Sequence, residues 1–433
     1  WVNTRQSRSY KRTLTSALGL VLFVSLLVLG TPIYADDTSD EVIELYYFTW
    51  ATGANYNYIQ EDLIEPFEAL HPNIKIHHEA VPGGEFWDKL PVLIASGQAP
   101  DLIHMSVGYI FDYARKGLLE NLQPYFDRDL NEDDFFMEPF KAVRYPDMET
   151  GDLYAVPYSF MVTALFYNKD MFDTAGVYYP DDTWTWDDLR AAARRLTMDK
   201  DGDGISDQYG FVINPHYESF DPLVRSFGGR MLSDDLRTVT FNSPEGIAAT
   251  QFVVDMIQED RSTIRGSRNE FVNQRVAMWI SGMYQIDMRD IVTFDWDVAM
   301  MPSGPAGRVV RLWPDSFAIP KDAKHKEAAW EFIKYVITRT EMDRYIGSRK
   351  VPVYKELATS PEWLETDKVP DKMVFLRSIP YGDPLEFRPA WGEWEPVRWS
   401  ALTPAMDGKE SVLNAVIKAS EAMQAIIDRF WAE

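Results

Sequence analysis

The chain contains no cysteine. That absence excludes disulfides, thiol nucleophiles and thiolate metal sites, and with them a lipid-bearing cysteine behind a leader. Stability must come from a hydrophobic core, and 46% apolar residues can build one. Histidine is scarce: six residues at scattered positions give no zinc spacing, and the adjacent pair His77-His78 reads as part of a solvent-facing strand. No GxSxG elbow, HExxH helix or phosphate-binding P-loop occurs. Positive charge is in deficit, with 43 Lys and Arg against 67 Asp and Glu, a net charge of −24. Such an excess of acid opposes binding to nucleic acid or anionic lipid, which would need clustered cations. Beyond the amino-terminal region no apolar run could span a membrane, and no internal repeat is evident.

What is present begins with a leader. Arg5, Arg8, Lys11 and Arg12 precede an apolar run from Ala17 to Leu29, then Gly30-Thr31-Pro32 and Ile33-Tyr34-Ala35 ahead of Asp36. A basic patch, an apolar centre and a small residue at the cut describe a secretory signal. About 13 residues at ~1.5 Å rise fall short of ~30 Å of hydrocarbon, so an anchor is disfavoured. Cleavage is expected after Ala35. It would remove four positive charges and leave the mature chain near −28.

Short apolar strands then alternate with amphipathic helices. Strands are expected at 42–48, 74–77, 101–104, 154–157, 164–167, 209–213 and 296–300. Helices are expected at 58–70, 86–96, 186–196, 244–257, 326–337 and 410–430. The break at His71-Pro72 ends the first helix, because a residue before proline avoids the helical region. This alternation predicts an α/β fold with mainly parallel sheet, and about 400 residues favour two domains over one. In open α/β sheets ligands bind beyond the carboxyl ends of the strands. That rule points to Thr49-Trp50, Met105-Ser106, Tyr158-Ser159, His216-Tyr217 and Trp313-Pro314-Asp315.

The sharpest local motif is Asp199-Lys200-Asp201-Gly202-Asp203-Gly204-Ile205-Ser206-Asp207. Crowded carboxylates repel unless a hard cation sits among them, and a glycine at the sixth place permits the tight turn of a calcium loop. Asp199, Asp201, Asp203 and Asp207 would ligate Ca²⁺ by side chain and Ile205 by its carbonyl. The twelfth position is Gly210 and not the bidentate glutamate of a full EF-hand loop, so a structural site is expected. Aromatics are abundant, with 14 Trp and 22 Tyr. Trp50, Trp87, Tyr158, Tyr284, Trp313, Trp391 and Trp394 fall at turns or strand ends, where a flat ring suits the C–H face of a sugar. Trp330 and Trp363, on helical patterns, read as core. Acid pairs such as Glu393/Glu395 and Asp181/Asp182 lie in no glycosidase-like motif, so nothing demands hydrolysis.

In this order the segments PFEALHPNIKI, KLPVLIASGQAPDLI with MSVGY, ARKGLLENLQPY, GDLYAVPYSFMVTALFYNKDMFDTAGV with TWTWDDL, RVAMWISGMY, DVAMMPSGP and DSFAIPKDAKHKEAAWEFIKYV carry a resemblance. The chain resembles the family 1 extracellular solute-binding proteins, the sugar-binding components of ABC importers related to maltose- and glycerol-phosphate-binding proteins. The likeness runs across nearly the whole mature chain and is least at 355–405. It implies a two-lobed periplasmic-binding-protein fold of type II, each lobe a mainly parallel sheet flanked by helices. After the 1–35 signal, the amino-terminal lobe would be 36–160 plus 299–322, and the carboxy-terminal lobe 161–298 plus 323–433. Crossings would fall near Tyr158–Thr163, Val298–Pro302 and Ile319–His325.

The resemblance implies ligand contacts at Trp50, Glu85, Trp87, Ser106, Tyr109, Tyr158 and Ser159 on the first lobe and crossing. On the second it implies Tyr217, Tyr284, Trp313, Asp315, Arg388 and Trp391. Arg388 leaves room for an acidic sugar or phosphoester. The implied function is capture of a sugar or short oligosaccharide by lobe closure and delivery to ABC permease subunits, without catalysis. A secreted carbohydrate-active enzyme, or a sensory binding protein docking on a receptor, are the other readings. The protein is expected to be a monomer, periplasmic or associated with the cell surface, with structural Ca²⁺ and no organic cofactor.

Overall fold

The computed structural model describes residues 42–213, 218–339, 350–365, 371–384 and 389–432. The leader, Tyr217 and Arg388 lie outside the described residues. Among the described residues no helix is long and apolar enough to cross a membrane.

The first half of the sheet is built from β1 (Ile43–Thr49), β2 (Ile74–Ala80) and β3 (Leu102–Ser106), paired in parallel with β1 in the middle. Helix α1 (Gly83–Ala95) returns the chain between β2 and β3, and α2 (Val107–Arg115) leaves directly from the end of β3. The helical run expected at 58–70 forms as Ala54–Leu70 with a wider turn over Ile59–Ile64, and stops before Pro72. The two short strands expected at 154–157 and 164–167 are one strand, β4 (Val156–Asn168), with all 13 residues buried. A strand covered on both faces shows no alternation to read, so its continuity was hidden.

The second half contains α3 (Trp186–Leu196), β5 (Tyr209–Ile213), α4 (Pro244–Gln258), β6 (Thr263–Arg265), β7 (Val276–Gly282) and β8 (Trp296–Ala299). Helix α3 starts on a capping box, with Thr185 and Asp188 each bonding the other's backbone N–H. β5 lies parallel to both β6 and β7.

Strand β4 joins the two halves. Its Val156–Val162 stretch pairs with β9 (Val310–Ala318), and its Thr163–Asn168 stretch pairs with β7 and β8. The order across the sheet is β2-β1-β3-β9-β4-β7-β5-β6. Parallel pairing thus holds in each outer part, while the two central strands β4 and β9 run antiparallel to one another, β9 antiparallel to β3 and β4 antiparallel to β7.

The contacts of two segments depart from the expected lobe boundaries. Helix α5 (Lys326–Thr338) packs on β1 and β4. Its Trp330 donates to Asp129 (2.6 Å), so α5 lies with the first half. The hairpin Ser303–Arg308 turns the other way: Ser303 N–H donates to the Trp184 carbonyl and Ala306 N–H to that of Ser226. Helices α6 (Trp391–Met406) and α7 (Val412–Ala432) pack on one another and on α4. The end of α7 reaches back to α2, where the Arg115 guanidinium lies 4.4 Å from the Phe430 ring centre.

Candidate functional site

Two groups of aromatic side chains gather at the carboxyl ends of the strands. In the first, Trp50 follows β1 and packs edge-on against Phe86 at 5.1 Å and beside Trp87 at 5.5 Å. Trp87 stacks on Tyr109 at 3.8 Å and 15°, joining α1 to α2. Burial raises the Tyr109 hydroxyl's pKa above its ordinary value, helped by nearby Asp112. Beneath Trp50 lies His104, which also stacks on Tyr158 at 5.5 Å. Desolvation holds His104 well below the usual imidazole range and His78 at about 4, so both rings are neutral at ordinary pH.

The second group is an apolar cluster separate from the main core. Val107, Ala142, Met161 and Trp313 form it, with Tyr284 and Trp391 packed against them. These residues come from α2, the following loop region, both crossing strands, the turn after β7 and the start of α6. Tyr284 and Trp313 meet at 6.4 Å and 73°, edge to face. Two glycines permit these approaches. A Cβ at Gly108 would stand 3.1 Å from Trp391, and one at Gly282 would stand 2.7 Å from Trp313 and 2.8 Å from Tyr284.

A polar strip runs between the groups. β-Sheet register sets Ser106 opposite Asp315 and Asp315 opposite Ser159, across three adjacent strands. Lys350 pairs with Asp315, and its ammonium lies 5.8 Å from the Tyr158 ring. The Ser159 hydroxyl is buried with no hydrogen-bond partner among the described residues.

The sequence-expected residues therefore sort into distinct places. Trp50, Trp87 and Tyr109 converge, as do Tyr284, Trp313 and Trp391, and Ser106, Ser159 and Asp315 share the strip. Tyr158 is 2% exposed between His104 and Phe317 and supports the floor, offering no open ring face. Trp394 is fully buried, its indole N–H donating to the Pro389 carbonyl. Glu85 stands exposed in the first turn of α1. Sequence reasoning missed Val107, Ala142 and Met161, whose apolar side chains carry no chemical signal. It also missed Glu218, one residue beyond the strand-end pair His216-Tyr217. Glu218 is 4% exposed and accepts from Ser281 Oγ at 2.6 Å and from Tyr284 Oη at 2.7 Å.

The acidic loop lies between α3 and β5. Carboxylate oxygens of Asp199, Asp201 and Asp207 all fall within 4.8 Å of one another, a spacing two Ca–O bonds of ~2.4 Å can bridge. Asp203 is outside that group, and its carboxylate accepts the Ile205 N–H at 2.7 Å. Backbone N–H donors from Gly204 and Gly202 hold Asp199 below the usual carboxylate range. A separate groove of about 510 Å³ opens among Tyr46, His77, Gln98 and Lys324. Its Asp101 carboxylate is taken up by the backbone N–H groups of Tyr46, Lys324 and His325, a role in holding the fold.

The family model of bacterial extracellular solute-binding proteins matches residues 50–342. A maltotriose-binding protein of Pyrococcus abyssi is 24% identical over 376 residues, 83% of this chain and 77% of that protein. A binding protein of Brucella abortus is 26% identical over 423 residues, 93% of this chain and 96% of its relative. Among solved structures, an ABC substrate-binding protein of Listeria monocytogenes in complex with cycloalternan aligns with a TM-score of 0.75 at 24% identity, covering 90% of this chain and 100% of that one. The sugar-binding protein MalE of Xanthomonas citri aligns with a TM-score of 0.77 at 21% identity, covering 90% and 98%.

Proposed function

Since the chain belongs to the bacterial extracellular solute-binding protein family, we propose that it captures a sugar or short oligosaccharide by closing two lobes and delivers it to an ABC permease. One observation carries the reading: a single apolar cluster draws Val107 from the first half, Tyr284 from the second, and Met161 and Trp313 from the crossing strands. A ring seated on Tyr284 and Trp313 rests where the crossing strands join the two halves, within reach of groups from both. A sugar's C–H face laid against a ring gains by burying apolar surface, ~25 cal/mol for each Å² removed from water. Ligand favours the closed form by the contacts it makes there and not in the open form. Trp50, Trp87 and Tyr109 supply a second aromatic face on the first lobe, and Ser106, Asp315 and Lys350 supply hydroxyl partners.

The reading divides the described residues into one lobe of 42–162, 310–339 and 350–364, and another of 163–213, 218–309, 373–384 and 389–432. The reading includes export through the leader cleaved after Ala35, a monomeric state and action without catalysis. It includes Ca²⁺ bound by Asp199, Asp201 and Asp207, bracing the turn between α3 and β5. A melting screen against glucose, galactose, mannose, maltose, maltotriose and cellobiose tests the capture. At 100 times its Kd a ligand stabilises the folded form by ~2.7 kcal/mol, which reads as a raised Tm. No shift with any of these sugars, or cleavage of an oligosaccharide at enzymatic rates, counts against it.

A further inference from the structure

Glu218 is a buried carboxylate that the capture reading leaves without a role. It is 4% exposed, and its side-chain hydrogen bonds among the described residues come from Ser281 and Tyr284. Burying an uncompensated carboxylate is costly unless hydrogen bonds replace its water. Here Ser281 Oγ donates to Oε2 at 2.6 Å and Tyr284 Oη donates to Oε1 at 2.7 Å. An ionised carboxylate only accepts, and a phenol has one proton to give. The Tyr284 proton is therefore spent on Glu218. Ser281 and Gln285 also lie within hydrogen-bonding reach of the Tyr284 oxygen, so what Tyr284 presents elsewhere is its ring and the lone pair those side chains leave over. Burial, and then the Glu218 charge, raise the Tyr284 hydroxyl's pKa above its ordinary value, so it stays a neutral phenol.

We infer that Glu218 is a specificity-determining residue that makes Tyr284 a hydrogen-bond acceptor, so that this part of the site takes a neutral, hydroxyl-donating sugar and rejects an anionic one. The inference rests on the capture reading and deepens it. A sugar hydroxyl donates to Tyr284 Oη while its ring lies against the small part of Trp313, 8% of its surface, that stays open. A carboxylate or phosphoester there brings no proton and meets the Glu218 charge through one side chain, in surroundings with little water to screen it. Glu218 acts through Tyr284 and is thus a positioning residue. Ser281 fixes its other oxygen, which turns the carboxylate toward the tyrosine.

The test is calorimetric titration of the full chain with matched probes, glucose against glucuronate and galactose against galacturonate, which differ only at the sixth carbon. Wild type should bind the better neutral member at least about tenfold more tightly than its uronate, the effect of one poorly screened like charge. Glu218→Gln removes the charge and keeps the shape. It should narrow that ratio by about tenfold while changing neutral-sugar affinity less than about fivefold. Tyr284→Phe keeps the ring and removes the acceptor, and should weaken the neutral sugar about tenfold. A merely structural Glu218 would lower both affinities in parallel and leave the ratio alone; that outcome overturns the inference, as does wild type binding a uronate as well as its neutral partner. If both neutral members bind wild type and the ratio fails, only the specificity inference falls. If wild type binds no sugar of these pairs or of the melting panel, the capture reading falls and takes this inference with it.

Discussion

Replacing Gly282 by alanine disturbs the aromatic site without deleting a ring. The backbone at Gly282 has φ −77° and ψ 159°, extended geometry that any residue adopts, so the change adds no backbone strain. All of the cost is steric. The added Cβ would lie 2.7 Å from Trp313 Cη2 and 2.8 Å from Tyr284 Cε1. Ordinary carbon contacts need ~3.5–4.0 Å, so one ring or both must retreat by about 1 Å. Trp313 is confined by Val107, Ala142 and Met161, and Tyr284 by its bond to Glu218, so neither yields freely. Overpacking of this kind costs ~1–3 kcal/mol. The ring displacement also spoils the surface a sugar would rest on, and loss of one ring contact predicts about a tenfold rise in Kd. The assay is a denaturant or thermal melt beside a sugar titration. Expected are a lower midpoint and weaker binding, with the far-ultraviolet spectrum unchanged. Wild-type stability together with wild-type affinity would refute the reasoning, because it would mean that Trp313 and Tyr284 do not meet over Gly282.

Other expectations follow from the same geometry. Trp50→Ala should raise the Kd for the bound sugar by about tenfold or more and lower the unfolding midpoint only modestly, since the ring is half-buried against Phe86 and Trp87; unchanged affinity would remove Trp50 from the site. Chelator should lower the melting temperature of wild type and leave an Asp199→Ala variant unaffected; identical melts with and without chelator would count against the metal. Burial lowers the His78 pKa from 6.5 to about 4, so between those values the unfolded chain binds more protons than the folded one. Stability from this group is complete above pH 6.5 and is lost as pH falls toward 4, on the order of a few kcal/mol in all. His78→Phe should flatten the loss of stability measured by urea melts from pH 7 to pH 4; an equally steep loss would assign it elsewhere.

Much of the architecture was legible locally. The strands before Trp50 and Ser106, the capped helix at 186–196 and the long closing helix all follow from spacing and capping, which act over a few residues. The parts that were not legible depend on burial from both sides or on partners far along the chain. The strand 156–168 read as two pieces because every residue is buried. Helix 326–338 packs on β1 and β4, a contact its sequence leaves open because an amphipathic helix does not state which sheet its apolar face will meet. Tyr158 looks like a strand-end platform in the sequence, but it lies inside the strand 156–168, where its ring is buried and stacks on His104.

The sequence by itself determined the α/β class, the absence of any thiol chemistry, the acidic surface and the turn of aspartates at 199–207, because each depends on composition or on neighbours in the chain. It also marked the strand-end aromatics as a set. Only the tertiary structure decided which of them meet: Trp50 with Trp87 and Tyr109, and Tyr284 with Trp313 and Trp391. Those encounters are made by two crossing strands that bring residues 107, 161, 284 and 313 into one cluster. The role of Glu218 was decided there too. A lone acid in a loop acquires meaning only when folding buries it and sets two hydroxyls against it.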